Sequence, residues 1–153
     1  VLVRSPDAYE TEGLDRPSMR LTGHQDELVA EVAQANPNTV VVVNAGTPVE
    51  MPWVNQVPAI LWAYFPGQEG GNALADILTG AVNPSGKLPL TLPARIEDNP
   101  TFINYPGDRS ILYGEDIFIG YRYYDARKIE PLFPFGHGLS YTQFTYSLSL
   151  IHI

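Results

Sequence analysis

Apolar positions follow two rhythms in the first half of the chain. From His24 to Ala35 they fall at Leu28, Val29, Val32 and Ala33, with Asp26, Glu27, Glu31 and Gln34 between them, which predicts an amphipathic helix. Thr22 stands at its N-cap, and Gln25, three residues on, takes the capping-box position. Asn36-Pro37-Asn38 ends the helix because proline cannot continue it. Thr39–Asn44 holds four consecutive valines, the β-branched run of a strand buried on both faces. Val1–Val3 reads as the end of another buried strand, and Ser5–Pro17, which lacks periodicity, as the loop after it. Ala45–Pro48 turns the chain, Trp53–Gln56 makes one short helical turn, and Ala59–Tyr64 forms the next strand. Beyond the Pro66–Asn72 loop, Asn72–Leu78 has a helical pattern ended by Gly80. Strands alternating with helices predict a parallel sheet with helices on its faces, an α/β fold.

The texture changes after Asn83. Lys87–Pro93 (KLPLTLP) alternates apolar and polar residues but carries prolines, which suits an edge or antiparallel strand better than a central one. Arg95–Glu115 is a long polar loop, Ile117–Tyr124 (IFIGYRYY) a strongly β-prone aromatic segment, and Pro131–Tyr141 a turn region rich in Gly, Pro and Phe. In Gln143–Leu150, Phe144, Tyr146 and Leu148 share one face, as in the first strand of a truncated all-β module.

Composition narrows the function classes. Thirteen glycines and fourteen prolines in 153 residues make about a sixth of the chain turn chemistry, against a usual value of about 12%, without a low-complexity block. A formal charge of −8 argues against a phosphate-backbone partner. No apolar run approaches the ~18 residues of a membrane span. There is no cysteine, and His24, His137 and His152 lack ligand spacing, so no metal is expected. The compartment stays open, because a chain opening at Val1 reads as an excerpt of a longer parent.

The generic motifs fail one after another. Gly67-Gln68-Glu69-Gly70-Gly71 lies between strand and helix, yet it is not G-x-G-x-x-G, and Glu69 would repel a phosphate there. It reads instead as a structural turn, with Glu69 favoured at the start of the following helix. Gly86-Lys87 is followed by Leu88 and makes no P-loop. What remains is the acidic loop Tyr9-Glu10-Thr11-Glu12-Gly13-Leu14-Asp15-Arg16, after a strand end where open sheets place their sites. Its three carboxylates and one arginine suit a sugar site, an ion-pair cluster or a solvated loop.

Seven segments in order resemble one family, the C-terminal α/β-sandwich domain of family 3 glycoside hydrolases, the β-glucosidase-like group. They are Glu10–Arg16 (ETEGLDR), Ala35–Val42 (ANPNTVVV), Gly46–Trp53 (GTPVEMPW), Phe65–Ala73 (FPGQEGGNA), Asn83–Pro89 (NPSGKLP), Gly120–Asp125 (GYRYYD) and Phe133–Tyr141 (FPFGHGLSY). The resemblance implies a flavodoxin-like α/β sandwich over 1–141, N-terminally truncated, mostly parallel with antiparallel additions near its end. Residues 142–153 then match the entry to a truncated fibronectin-III-like module. Ser149–Ile153 (SLIHI) departs from the family pattern, which a sequencing or cloning artefact would explain.

What the resemblance implies about chemistry is specific. Relatives join a (β/α)-barrel, which carries an aspartate nucleophile, to this sandwich, which lends the acid/base glutamate from a loop matching Glu12. The reaction would be retaining hydrolysis of a terminal β-D-glucosyl residue of a β-glucoside or oligosaccharide, with no cofactor, nucleic acid or membrane involved. Two carboxyls about 5–5.5 Å apart are then required. Glu10 competes with Glu12 for the role, and Asp15 and Arg16 are expected to fix the loop, or else to touch sugar. Without the barrel the chain is expected to be inactive, and to expose apolar surface where the barrel docks. The reading from another class is a non-catalytic carbohydrate-binding or scaffold domain.

Overall fold

The computed structural model describes residues 1–107 and 109–148. Among them, β1 (Leu2–Arg4), β2 (Val40–Asn44) and β3 (Ala59–Trp62) form one parallel sheet in the order β1-β2-β3. Leu2 lies opposite Val42, and Val41 opposite Ile60. Parallel neighbours need a crossover connection. The first contains α1 (Gln25–Ala35), and the second holds a 3-10 turn at Val54–Gln56. The chain is thus α/β, with α2 (Gly70–Leu78) following β3 and α3 (Tyr121–Arg127) near the C-terminal end.

Alternation along the strands turns Val3, Val41 and Val43 to one face. They are buried there with Val29 of α1, with Leu21, Val49 and Trp53 from the connections, and with Leu92 from beyond α2. The Trp53 indole N–H donates to Asp26 at 2.8 Å, tying the second crossover to the start of α1. Burial raises the Asp26 carboxyl above the usual carboxylate range, although this bond lowers it in part. The valine run of β2 is buried through Val41, Val42 and Val43. β1 differs from the expected buried strand: Leu2 on its other face is 62% exposed.

Local chemistry at the helix starts also differs from the sequence reading. His24, not Thr22, is the N-cap of α1, and no side chain caps it. Gln25 donates to the carbonyls of Thr22 and Arg4, both at 3.0 Å, and accepts from the Arg4 N–H at 2.8 Å. β1 lies at a sheet edge, where backbone groups need such partners. Glu69 is the N-cap of α2, but its carboxylate accepts from the Asn72 side chain at 2.6 Å rather than from the backbone.

In the C-terminal third, Leu88 N–H donates to His137 O and Gly136 N–H to Leu88 O, both at 2.8 Å. An antiparallel bridge joins Leu92 to Phe133. Pro89 and Pro93 cannot donate, so these bonds remain separate and no continuous ladder forms. The aromatic segment Ile117–Tyr124 is not extended as its β-propensity suggests. Gly120, with φ of +54°, breaks it, and Tyr121–Arg127 coil into α3, burying Tyr124. β-propensity measures fit to a half-buried surface rather than backbone preference, and here a helix offers that surface. Residues 143–148 form no strand, and Phe144, Tyr146 and Leu148 are exposed. Asp108 and Ser149–Ile153 lie outside the described residues. No helix among the described residues is long and apolar enough to cross a membrane.

Candidate active site

Open parallel sheets present their sites beyond the carboxyl ends of the strands. Three loops leave those ends here, from Ser5, Ala45 and Ala63, and side chains knit them together. The Trp62 indole N–H donates to Ala45 O at 3.0 Å, and the Asn44 amide donates to Tyr64 O. Gly46 lies against the Phe65 ring: a Cβ at this position would fall 2.4 Å from it, so a larger residue here would push the ring aside.

The acidic loop is fastened to this edge at two points. Arg16 Nη1 donates to Thr47 Oγ1 and, at 3.0 Å, to Pro48 O. The Thr47 hydroxyl lies 3.4 Å from both carboxylate oxygens of Glu10. Asp15 makes no hydrogen bond or ion pair with its neighbour Arg16; it lies beside Tyr105, whose pKa its carboxylate raises above the ordinary value. The structure therefore brings Glu10 and Arg16 together through Thr47 and sends Asp15 elsewhere.

Glu12 stands apart from these contacts. It sits in an exposed turn with Gly13, and no hydrogen bond or ion pair among the described residues engages its carboxylate. Glu10, by contrast, is half-buried and already occupied. An open groove along α3 is lined by Pro48, Pro93, Ile119, Tyr121 and Phe135, but by none of the four loop residues. The arrangement is one free carboxyl on a fastened loop at an open edge. Such a group can exchange a proton with a molecule brought to it, once something closes over it.

Sequence reasoning passed over Thr47 and Tyr105. Thr47 stood in the quoted Gly46–Trp53 segment at a strand's carboxyl end, which is the signal that would have found it. Tyr105, ninety residues downstream of Asp15, carried none. Tyr64 Oη and the Nε and Nη2 of Arg16 are buried without a hydrogen-bond partner among the described residues. Burial raises the pKa of Tyr64. Of the aromatics beside the strands, Trp53 is core, while Trp62 and Tyr64 are half-buried.

A parallel α/β domain with an acidic loop at its carboxyl edge is a class shared by many enzymes, and comparison with known proteins makes it particular. The model of the glycosyl hydrolase family 3 C-terminal domain matches residues 1–141, and the chain belongs to that family. It is 56% identical over 140 residues to "Probable beta-glucosidase I" of Aspergillus flavus, covering 91% of this chain and 17% of that protein. It is 54% identical over 143 residues to "Thermostable beta-glucosidase B" of Acetivibrio thermocellus, covering 93% of this chain and 19% of the relative. The solved β-glucosidase of Kluyveromyces marxianus in complex with glucose superposes with a TM-score of 0.90 at 48% identity, over 93% of this chain and 17% of that one. The chain thus spans under a fifth of the length of these relatives.

Proposed function

We propose that this chain is the acid/base-bearing domain of a retaining exo-β-glucosidase, and that Glu12 is its proton donor and acceptor. A carboxylate nucleophile from the barrel of the parent attacks the anomeric carbon of a terminal β-D-glucosyl residue. The glycosidic C–O bond breaks, and Glu12 delivers its proton to the departing oxygen. Glu12, now a carboxylate, takes a proton from water as that water attacks the glycosyl-enzyme, which releases glucose and frees the nucleophile. A donor of this kind must be protonated before the first step, which requires the closure the barrel supplies. Asp15 and Arg16 hold the loop rather than the sugar, and no cofactor takes part.

One observation carries this reading. In a chain whose relatives are β-glucosidases, Glu12 is the loop glutamate left without a partner among the described residues, while Glu10 is spent on Thr47. In the full-length parent, Glu12→Gln should lower kcat/KM about 10²- to 10⁴-fold on glucosides with poor leaving groups. It should do far less on a dinitrophenyl glucoside, whose leaving group needs no proton, and azide should restore turnover. Equal loss on both substrates, or a loss from Glu10→Ala as large as that from Glu12→Gln and rescued by azide, would move the role away from Glu12. The isolated chain should not hydrolyse a nitrophenyl β-glucoside. Sugar binding by the isolated chain, with full activity retained in the Glu12→Gln parent, would favour a scaffold or binding role.

A further inference from the structure

The loop that carries Glu12 is fastened on both sides of that residue, and both fastenings end on the same hydroxyl. Arg16 Nη1 donates to Thr47 Oγ1, and Thr47 in turn faces Glu10, with Oε1 and Oε2 each at 3.4 Å. A hydroxyl has one proton and two lone pairs. With the guanidinium donating into a lone pair, the proton is left for the carboxylate, so the order is Arg16 to Thr47 to Glu10. Each bond in such a chain polarises the next. The second Arg16 bond, to Pro48 O at 3.0 Å, holds the guanidinium to the residue after Thr47. Gly46 adds a backbone constraint on the other side: a Cβ there would lie 3.2 Å from Glu10 Oε2.

Glu12 has no side-chain partner of its own among the described residues, so its position follows from the backbone between Glu10 and Arg16. We infer that Thr47 is a positioning residue for proton transfer: it clamps the two ends of the Glu12 loop to the carboxyl end of β2, and so fixes where Glu12 meets the leaving oxygen. This rests on the proposed role of Glu12. A hydroxyl is required because the position must accept from a cation and donate to an anion at once. Valine keeps the branched shape and does neither, while serine does both.

The test uses the full-length parent and two substrates, an alkyl β-glucoside and a dinitrophenyl β-glucoside. Thr47→Val should lower kcat on the alkyl glucoside about 10- to 100-fold, the scale of an ångström-sized misplacement, with KM nearly unchanged. Turnover of the dinitrophenyl glucoside should change little, and Thr47→Ser should recover most of the lost rate. Adding Thr47→Val to Glu12→Gln should cause no further loss on the alkyl glucoside, because the positioned group is already gone. Equal losses on both substrates, or no recovery with serine, would make Thr47 a merely structural residue and overturn the inference. Should Thr47→Val fail to fold, Glu10→Ala removes the acceptor at the far end of the same chain and must show the same substrate-selective loss, about 10- to 100-fold and without azide rescue. Glu12→Gln run in parallel separates the two claims. If it lacks the leaving-group pattern, the role of Glu12 fails; if it shows the pattern and neither Thr47→Val nor Glu10→Ala does, the clamp alone fails.

Discussion

Tyr124 is where burial acts most strongly on a single group. Its side chain lies under α3 against the loop around Asp98, and its pKa is pushed up to about 12, first by burial and then by the negative charges of Asp98 and of the Tyr123 phenolate. Asp98 stays ionised because Arg95 donates to it at 2.6 and 3.2 Å, which lowers its carboxyl below the usual range. A folded-state pKa above the unfolded value of 10 means the native state holds its proton longer. The stability involved is present below pH 10 and is lost as pH rises toward 12. Urea unfolding at pH 9 and pH 11 should show a loss of about 1 kcal/mol across that interval, discounted for partial solvation. Tyr124→Phe should flatten that slope. An equal slope in the variant would assign the alkaline loss to other tyrosines. At this scale motif and charge coincide at Glu10, Glu12, Asp15 and Arg16, which is why the sequence singled that loop out; their roles are the ones proposed above. The sequence was mute about partners distant in the chain: Thr47 for Arg16 and Tyr105 for Asp15 depend on which loops the sheet brings together, and no local pattern encodes that.

Elements were legible in proportion to how much of their pattern is backbone-determined. The valine run of β2 and the 3.6-residue rhythm of α1 specify their own geometry, and both appear within one residue of the expected bounds. α3 was hidden because aromatic residues serve any half-buried surface, and the decisive feature, the positive φ of Gly120, emerges only from the packed chain. The Lys87–Pro93 segment falls between these cases: its alternation is real, but its prolines leave single bonds in place of a ladder. Its attachment should therefore rest on side chains more than on hydrogen bonds. Leu92 is fully buried in the valine core and bridges to Phe133, whereas Leu88 is half-buried. Leu92→Ala should destabilise the domain by about 3 kcal/mol in urea unfolding, within the usual range for buried leucines, and Leu88→Ala by clearly less. Negligible losses at both positions would show that the backbone bonds, which alanine leaves in place, carry the attachment.

The molecule as a whole carries two opposing surface features. Ile103, Leu112 and Tyr113 are 84%, 68% and 80% exposed, and Ile111, Ile117 and Phe118 are also open. Apolar exposure of this kind marks surface that meets a partner, and the barrel of the proposed parent enzyme is its proposed occupant. Without it, the same surface can meet a second copy. The formal charge of −8 resists that encounter, because like-charged chains repel over a Debye length. Salt removes the repulsion and leaves the apolar attraction intact: the screening length falls from about 30 Å at 0.01 M to about 3 Å at 1 M. The weight-average sedimentation coefficient of the isolated chain should therefore rise with ionic strength at fixed concentration. The double substitution Leu112→Glu and Tyr113→Glu should hold it at the monomer value at every salt concentration, since both side chains are exposed and their replacement disturbs no core. Association that weakens with salt would instead point to ion pairs between copies. Association that survives the double substitution would place the contact elsewhere, such as on the open face of β1 where Leu2 stands exposed.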